Sequence, residues 1–223
     1  MNLPLYFALD EKSGEKTEPM NDPAARYFKP DASLKGTDIL IITDRPQKAP
    51  ADQTATAICE SCRKWSIRGV FFDFEQPLSG VFVRIAELVI RSLPDCFFLL
   101  PENYSAVSET ALILCTPCLP QNCWESFCKQ KQKAYPNRWA LELIPYQLLY
   151  ESGKKAAVSY RTVQQLLSGG GQLLPQAVCM SQRSKCRHLI YDTGKTLRHK
   201  LNIAEENGCK LSIGLWSELR YYF

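Results

Sequence analysis

Seven short apolar runs, almost uninterrupted by polar residues, constrain this chain more than anything else in it. They are PLYFAL (Pro4 to Leu9), DILIIT (Asp38 to Thr43), GVFFDFE (Gly69 to Glu75), CFFLL (Cys96 to Leu100), ALILC (Ala111 to Cys115), RWALELI (Arg138 to Ile144) and KLSIGLW (Lys210 to Trp216). A strand with one wet face alternates apolar and polar residues, whereas strands covered on both faces, as in a parallel sheet wrapped by helices, are apolar at consecutive positions. Between these runs, Thr54 to Ser66, Gly80 to Ser92, Cys123 to Ala134 and Lys195 to Asn207 carry apolar residues at three-to-four spacing, the period of a helix with one buried stripe. In the last, Leu197, Leu201 and Ala204 form the stripe and Gly208 stands where the helix would stop. Strand and helix in alternation predict an α/β fold with right-handed crossovers. Seven strands in 223 residues favour a TIM-type (β/α) barrel, built as one domain over residues 1–223.

Two regions break the rhythm. Asp10 to Gly36 is rich in Lys, Glu, Asp and Pro and offers only the brief ARYF, so the barrel is expected to be incomplete or irregular at its second strand. Residues 151–193 hold a short helical stretch near Thr162 to Leu167, a glycine turn at Gly169 to Gly171, and the runs QAVCMS and RHLIYD joined by the polar QRSK. The latter pair predicts an antiparallel hairpin, and the region as a whole a small α+β insertion before the last barrel strand.

A net charge of +4, spread without a basic block, gives no electrostatic footprint for nucleic acid. No run reaches the ~18 apolar residues that span a bilayer, so no membrane partner is expected. The N-terminal MNLPLYFALDEKSGEK lacks the basic start and the long apolar stretch of a secretory signal, which predicts a cytoplasmic protein. Ten cysteines raise the question of a metal. Cys59 and Cys62 fall within a predicted helix, and only Cys115 and Cys118 sit where a tight turn would let two thiolates converge. Buried core thiols are therefore expected, with no metal and no cofactor.

GVFFDFE also ends in acids. Along a strand Phe71, Asp73 and Glu75 share one face and Val70, Phe72 and Phe74 the other. If the latter set packs on helices, Asp73 and Glu75 line the mouth at the C-terminal end of the barrel, where active sites of such barrels lie. Two carboxylates so close cannot both ionise freely, and the drier one keeps its proton to higher pH. An acid beside an anion is what glycoside hydrolysis uses, to protonate the leaving oxygen and to stabilise a cationic sugar.

The stretch DILIITD, the helix TATAICESCRKWSIR and then GVFFDFEQP resemble the third strand, helix and fourth strand of glycoside hydrolase family 18, the chitinase family. The signature there runs D-x-x-D-x-D-x-E, and Asp73 and Glu75 fall on its last two acids. RWALELIPYQLLYES and KKAAVSYRTVQQLL are similar to the seventh strand and following segment of the spore-associated N-acetylglucosaminidases of that family. HLIYDTGKTLRHKLNIAEENGCKLSIGLWSEL is similar to their last hairpin strand, helix and eighth strand. The resemblance implies an enzyme cleaving β-linked N-acetylglucosamine in peptidoglycan or chitin fragments, and a place in the cytoplasm or with spores. Glu75 would be the general acid. Asp73 would hold the N-acetyl group while its oxygen attacks the anomeric carbon, Trp216 would floor the sugar pocket, and Tyr146 and Tyr104 would hydrogen-bond the substrate. Arg68 and Phe71 stand where the signature has its first two acids, and Pro117 where the family has a tyrosine. These departures imply an alternative, a catalytically degraded barrel that binds a carbohydrate or a protein.

Overall fold

In the computed structural model the described residues are 3–8, 24–28, 39–44, 50–75, 77–117, 119, 121–150, 155–156, 160–168, 172–174, 177–182, 185–219 and 222. The apolar runs become short strands, and the helical stretches fall between them. In chain order the first half holds β1 (Leu5–Ala8), β2 (Ala24–Phe28), β3 (Ile39–Thr43), α1 (Ala51–Lys64), β4 (Gly69–Asp73), α2 (Gly80–Ser92), β5 (Phe97–Pro101), β6 (Leu112–Cys115), α3 (Trp124–Ala134) and β7 (Trp139–Glu142). The insertion follows with β8 (Tyr146–Tyr150), β9 (Lys155–Ala156), α4 (Tyr160–Ser168), β10 (Gln172–Leu174), β11 (Ala177–Gln182) and β12 (Lys185–Tyr191). The chain then returns to the barrel through α5 (Gly194–Glu206), β13 (Ser212–Leu215) and the short α6 (Trp216–Leu219).

The barrel closes in the order β1-β13-β7-β6-β5-β4-β3-β2. Every pairing among the seven apolar strands is parallel. The exception is β2, antiparallel to both β1 and β3, which is the irregularity expected at the second strand. A parallel crossover needs a covering element of a dozen or more residues, usually an amphipathic helix. Residues 9–23 offer Lys, Glu, Asp and Pro in place of an apolar stripe, so the strand that follows pairs in the reverse direction.

Alternation along each strand separates two apolar layers. Ile39, Ile41, Phe71, Leu99, Leu114 and Ile213 pack together inside the barrel. Their neighbours Leu40, Ile42, Val70, Phe72, Leu100 and Ile113 pack outward against Ile58, Ile85, Val89, Leu197 and Leu201 of the helices. Each such side chain contributes roughly 1.5–3 kcal/mol on burial, so the two-sided strands are the fold's main source of stability. α5 is fixed at its start by a reciprocal cap: the Thr193 hydroxyl accepts from the Thr196 amide at 3.2 Å, and the Thr196 hydroxyl accepts from the Thr193 amide at 2.8 Å. It stops at Gly208, whose φ of +79° is a conformation costly for other residues.

The insertion is a five-stranded antiparallel sheet ordered β10-β11-β12-β8-β9, with the expected hairpin as β11 and β12. It takes in Tyr146–Tyr150, a few residues before the expected start, because β7 ends at Glu142 and the chain turns at Pro145. The glycine turn at 169–171 lies outside the described residues. Cys59, Cys62, Cys115, Cys128 and Cys209 are buried, Cys96 is half-buried and Cys123 exposed. Burial pushes the thiols of Cys62, Cys115 and Cys128 up to about 12, which suits packing and not nucleophilic chemistry. Cys118 lies outside the described residues. Among the described residues no helix is long and apolar enough to cross a membrane.

Candidate functional site at the C-terminal mouth of the barrel

β4 carries its pattern through to the rim: Phe71 is buried in the barrel interior, so Asp73, the next residue on that face, points into the mouth. β4 ends there, two residues short of the run read from sequence, and Glu75 follows as an exposed residue of the connecting loop. β7 does the same from across the barrel. Ala140 lies in the interior, and Glu142, next on that face, closes the strand at the mouth. Asp44 follows Thr43, which stands opposite Asp73 in the β3–β4 register.

Four carboxylates thus gather at one end of the barrel. Burial, and after it the negative charges of Glu142, Glu75 and Asp44, raise the Asp73 carboxyl to about 7. Glu142 is also raised, first by burial and further by Glu75, while a donated hydrogen bond from the Thr116 hydroxyl to Oε2 at 2.6 Å pulls the other way. Asp73, Glu75 and Glu142 form no salt bridge among the described residues. Nor, among the described residues, does any group of three or more His, Cys, Asp or Glu stand close enough to hold a metal ion. Behind Glu142 runs a narrow crevice lined by Pro117, Leu119, Trp124, Asp192 and Lys200. Its free space, about 10 Å³ for the centre of a water, suits one water and no sugar ring.

The residues singled out from sequence are placed unequally. Asp73 and Glu75 come to the mouth, and Trp216 opens α6 on the same rim, directly after β13. Tyr104 does not stand at the rim. Tyr104 is fully buried on the outer side of β4, edge-on to Phe74 at 5.2 Å. Its hydroxyl is spent on the loop behind Glu75, accepting from the Ser79 amide at 3.2 Å and donating to the Pro77 carbonyl at 3.3 Å. Tyr146 is also buried, 2% exposed, at the start of β8. The apolar core took Tyr104, because a tyrosine just past a strand is as good a core residue as a rim residue. Tyr104→Phe is expected to cost about 1 kcal/mol, the net worth of a typical hydrogen bond, and to loosen the loop that carries Glu75. Urea unfolding measures the first effect and limited proteolysis at residues 76–80 the second.

Glu142, Thr116 and Asp44 were not picked out from sequence. The signal for Glu142 was present: it is the one acid inside RWALELI, two positions from Ala140, as Asp73 is two positions from Phe71.

Fold and mouth together define an irregular (β/α) barrel with inward carboxylates at its C-terminal end and an antiparallel insertion before the last barrel strand. This fold is similar to that of solved glycoside hydrolase family 18 structures, at low sequence identity. The spore cortex-lytic enzyme SleL of Bacillus megaterium QM B1551 superposes with a TM-score of 0.53 at 12% identity, covering 81% of this chain and 56% of that one. SleL of Bacillus cereus gives 0.53 at 16% identity, covering 83% and 59%. A GH18 chitinase from Cycas revoluta, solved in complex with (GlcNAc)3, gives 0.50 at 10% identity, covering 79% and 74%. The chain spans a little over half the length of the two SleL structures it matches. No protein-family model matches the chain, and no curated protein matches it in sequence. Where the family signature has acids, Arg68 is exposed just before β4 and Phe71 is 3% exposed inside the barrel.

Proposed function

We propose that this chain is a divergent family 18-type glycosidase that cleaves β-linked N-acetylglucosamine in peptidoglycan or chitin fragments. One observation carries the reading: Asp73 and Glu75 leave the C-terminal end of an inward-facing barrel strand, the first raised to about 7 among other acids and the second open to solvent. In this reading Glu75 protonates the glycosidic oxygen. Asp73 accepts the acetamido N–H while the acetamido oxygen attacks the anomeric carbon, so that the substrate and not the enzyme supplies the nucleophile. The Cycas revoluta structure holding (GlcNAc)3 on the same fold supports an N-acetylglucosamine oligomer as the ligand class.

Release of chromophore from an aryl glycoside of chitobiose or chitotriose tests it. Loss of a general acid removes roughly 10²–10⁴-fold in rate, so Glu75→Gln is expected to lower kcat by that factor with its fold intact. Absence of turnover by the unaltered chain on both substrates and on peptidoglycan fragments would sink the enzyme reading. A second reading, a sugar- or protein-binding barrel without catalysis, draws on the interior Phe71 and the buried Pro117, which give Asp73 no hydrogen-bonding floor. Retention of (GlcNAc)3 on a glycan array by a chain without turnover would favour it.

A further inference from the structure

We propose that the end of the barrel opposite the mouth is a docking surface for an anionic lipid bilayer, built from Arg63, Lys64, Trp65, Arg68 and Arg91. Arg63 and Lys64 stand in the last turn of α1, where the helix dipole favours cations. The chain then reverses at Ser66, whose φ of +53° lies in the left-handed region. The reversal returns Ile67 to the core and leaves residues 63–66 exposed, with Arg68 exposed again just before β4. α2 ends beside this turn: the Arg63 guanidinium donates to the Ser92 carbonyl at 3.2 Å, and the Phe97 amide donates to the Arg68 carbonyl at 2.9 Å. Arg91, exposed in the last turn of α2, thereby joins the cations of α1 and its turn.

These four cations form no salt bridge among the described residues. The acids of the region are Glu60 and Glu87, each one turn back along its helix, and Asp95 in the turn before β5, so cations are in surplus at the tip. Trp65 is the one aromatic among the large apolar side chains that the described residues leave exposed, at 40%, and the Lys64 ammonium lies over its ring at 5.0 Å. The other end of the barrel gathers Asp44, Asp73, Glu75 and Glu142, so charge is divided along the barrel axis, acidic at the mouth and basic at the base.

The negative potential of anionic headgroups draws lysine and arginine to a bilayer, and tryptophan settles at headgroup level. A nucleic-acid strand is instead tracked by a charged groove with a series of aromatic platforms. Here a single tryptophan stands on a projecting turn among cations, which suits a broad anionic plane. The lack of a spanning run excludes a crossing and not a contact, since a surface that lies on the headgroups needs no span. Docked by this end, the barrel turns its acidic mouth away from the bilayer. The proposal does not depend on the hydrolase reading.

Co-sedimentation with vesicles of phosphatidylcholine alone, and of phosphatidylcholine with an equal part of phosphatidylglycerol, tests it. The unaltered chain is expected to bind the anionic vesicles and not the neutral ones, and to be released as salt is raised. Each cation near an anionic surface contributes about fivefold, so Lys64→Gln with Arg68→Gln is expected to weaken binding by roughly 25-fold. Lys195→Gln with Arg198→Gln removes the same charge from exposed positions at the start of α5, near the mouth, and should leave binding unchanged. Trp65→Ala should weaken binding and keep its salt dependence. Equal binding to both kinds of vesicle, no binding by the unaltered chain at low salt, or a Lys64→Gln and Arg68→Gln variant that binds like the unaltered chain overturns the proposal. So does retention on single-stranded DNA at a salt concentration that releases the chain from the vesicles.

Discussion

Asp73→Asn is expected to stabilise the folded chain at pH 8 and to leave it nearly unchanged at pH 4. The carboxyl titrates near 7 when folded against 3.8 for the ordinary group. Between those values the folded state holds a proton that the unfolded chain has released, so stability falls as pH rises through this window and the full penalty applies above 7. About three pH units at 1.36 kcal/mol each set an upper limit of roughly 4 kcal/mol, and solvent reaching a half-buried group brings the expected gain to about 2–4 kcal/mol. Asparagine keeps the shape of the protonated acid and carries no charge at any pH, so the penalty disappears. Urea unfolding of both proteins at pH 4, 6 and 8 measures the gap, which should open steadily with pH. An asparagine variant no more stable than the parent at pH 8 would mean that Asp73 is compensated by a partner. The same substitution should abolish turnover, because a strained acid at the mouth costs stability for the sake of its chemistry.

The seven apolar strands and the helices between them were legible because their physics is local. Continuous apolar runs belong to two-sided strands wherever they occur, and α2 and β4 begin at the residues that the pattern marked. The direction of β2 was not legible. ARYF reads the same whether it runs parallel or antiparallel, and its direction is fixed by its pairing with β1 and β3 and not by the strand's own residues. At the site, Asp73 was legible by alternation, yet Glu142, the charge that raises it most after burial, is 69 residues away in sequence (142 − 73) and comes to the same mouth only because the sheet closes into a barrel. Tyr104 shows the converse. Its place beyond β5 suggested the rim, but the strand's outer face was short of one large side chain over Phe74, and packing took it. Proximity across a barrel is fixed by closure, which no stretch of sequence contains.

The largest loss of stability is expected from Lys200→Met. Lys200 and Asp192 are 4% and 5% exposed, with Nζ 2.8 Å from Oδ2. The lysine also donates to the Leu119 carbonyl at 3.1 Å and lies over the Trp124 ring at 4.8 Å, while the Trp124 indole donates to the Lys200 carbonyl at 2.8 Å. Asp192 accepts from the Thr196 hydroxyl at 2.9 Å, and its amide donates to the Pro145 carbonyl at 2.7 Å. One ion pair therefore ties α5 to α3, to the segment after β6 and to the point where the insertion rejoins the barrel. Methionine fills the space of the lysine stem but leaves a carboxylate buried without its cation, and breaking a buried pair from one side costs about 3–5 kcal/mol. Removing the stranded charge as well, in Lys200→Met with Asp192→Asn, is expected to recover most of that loss, since an uncharged pair of similar volume costs little. Unfolding free energies of the two single variants, the double variant and the parent close the cycle. If Lys200→Met alone unfolds within about 1 kcal/mol of the parent, water reaches Asp192 through the crevice, and the junction between barrel and insertion is held by apolar packing instead.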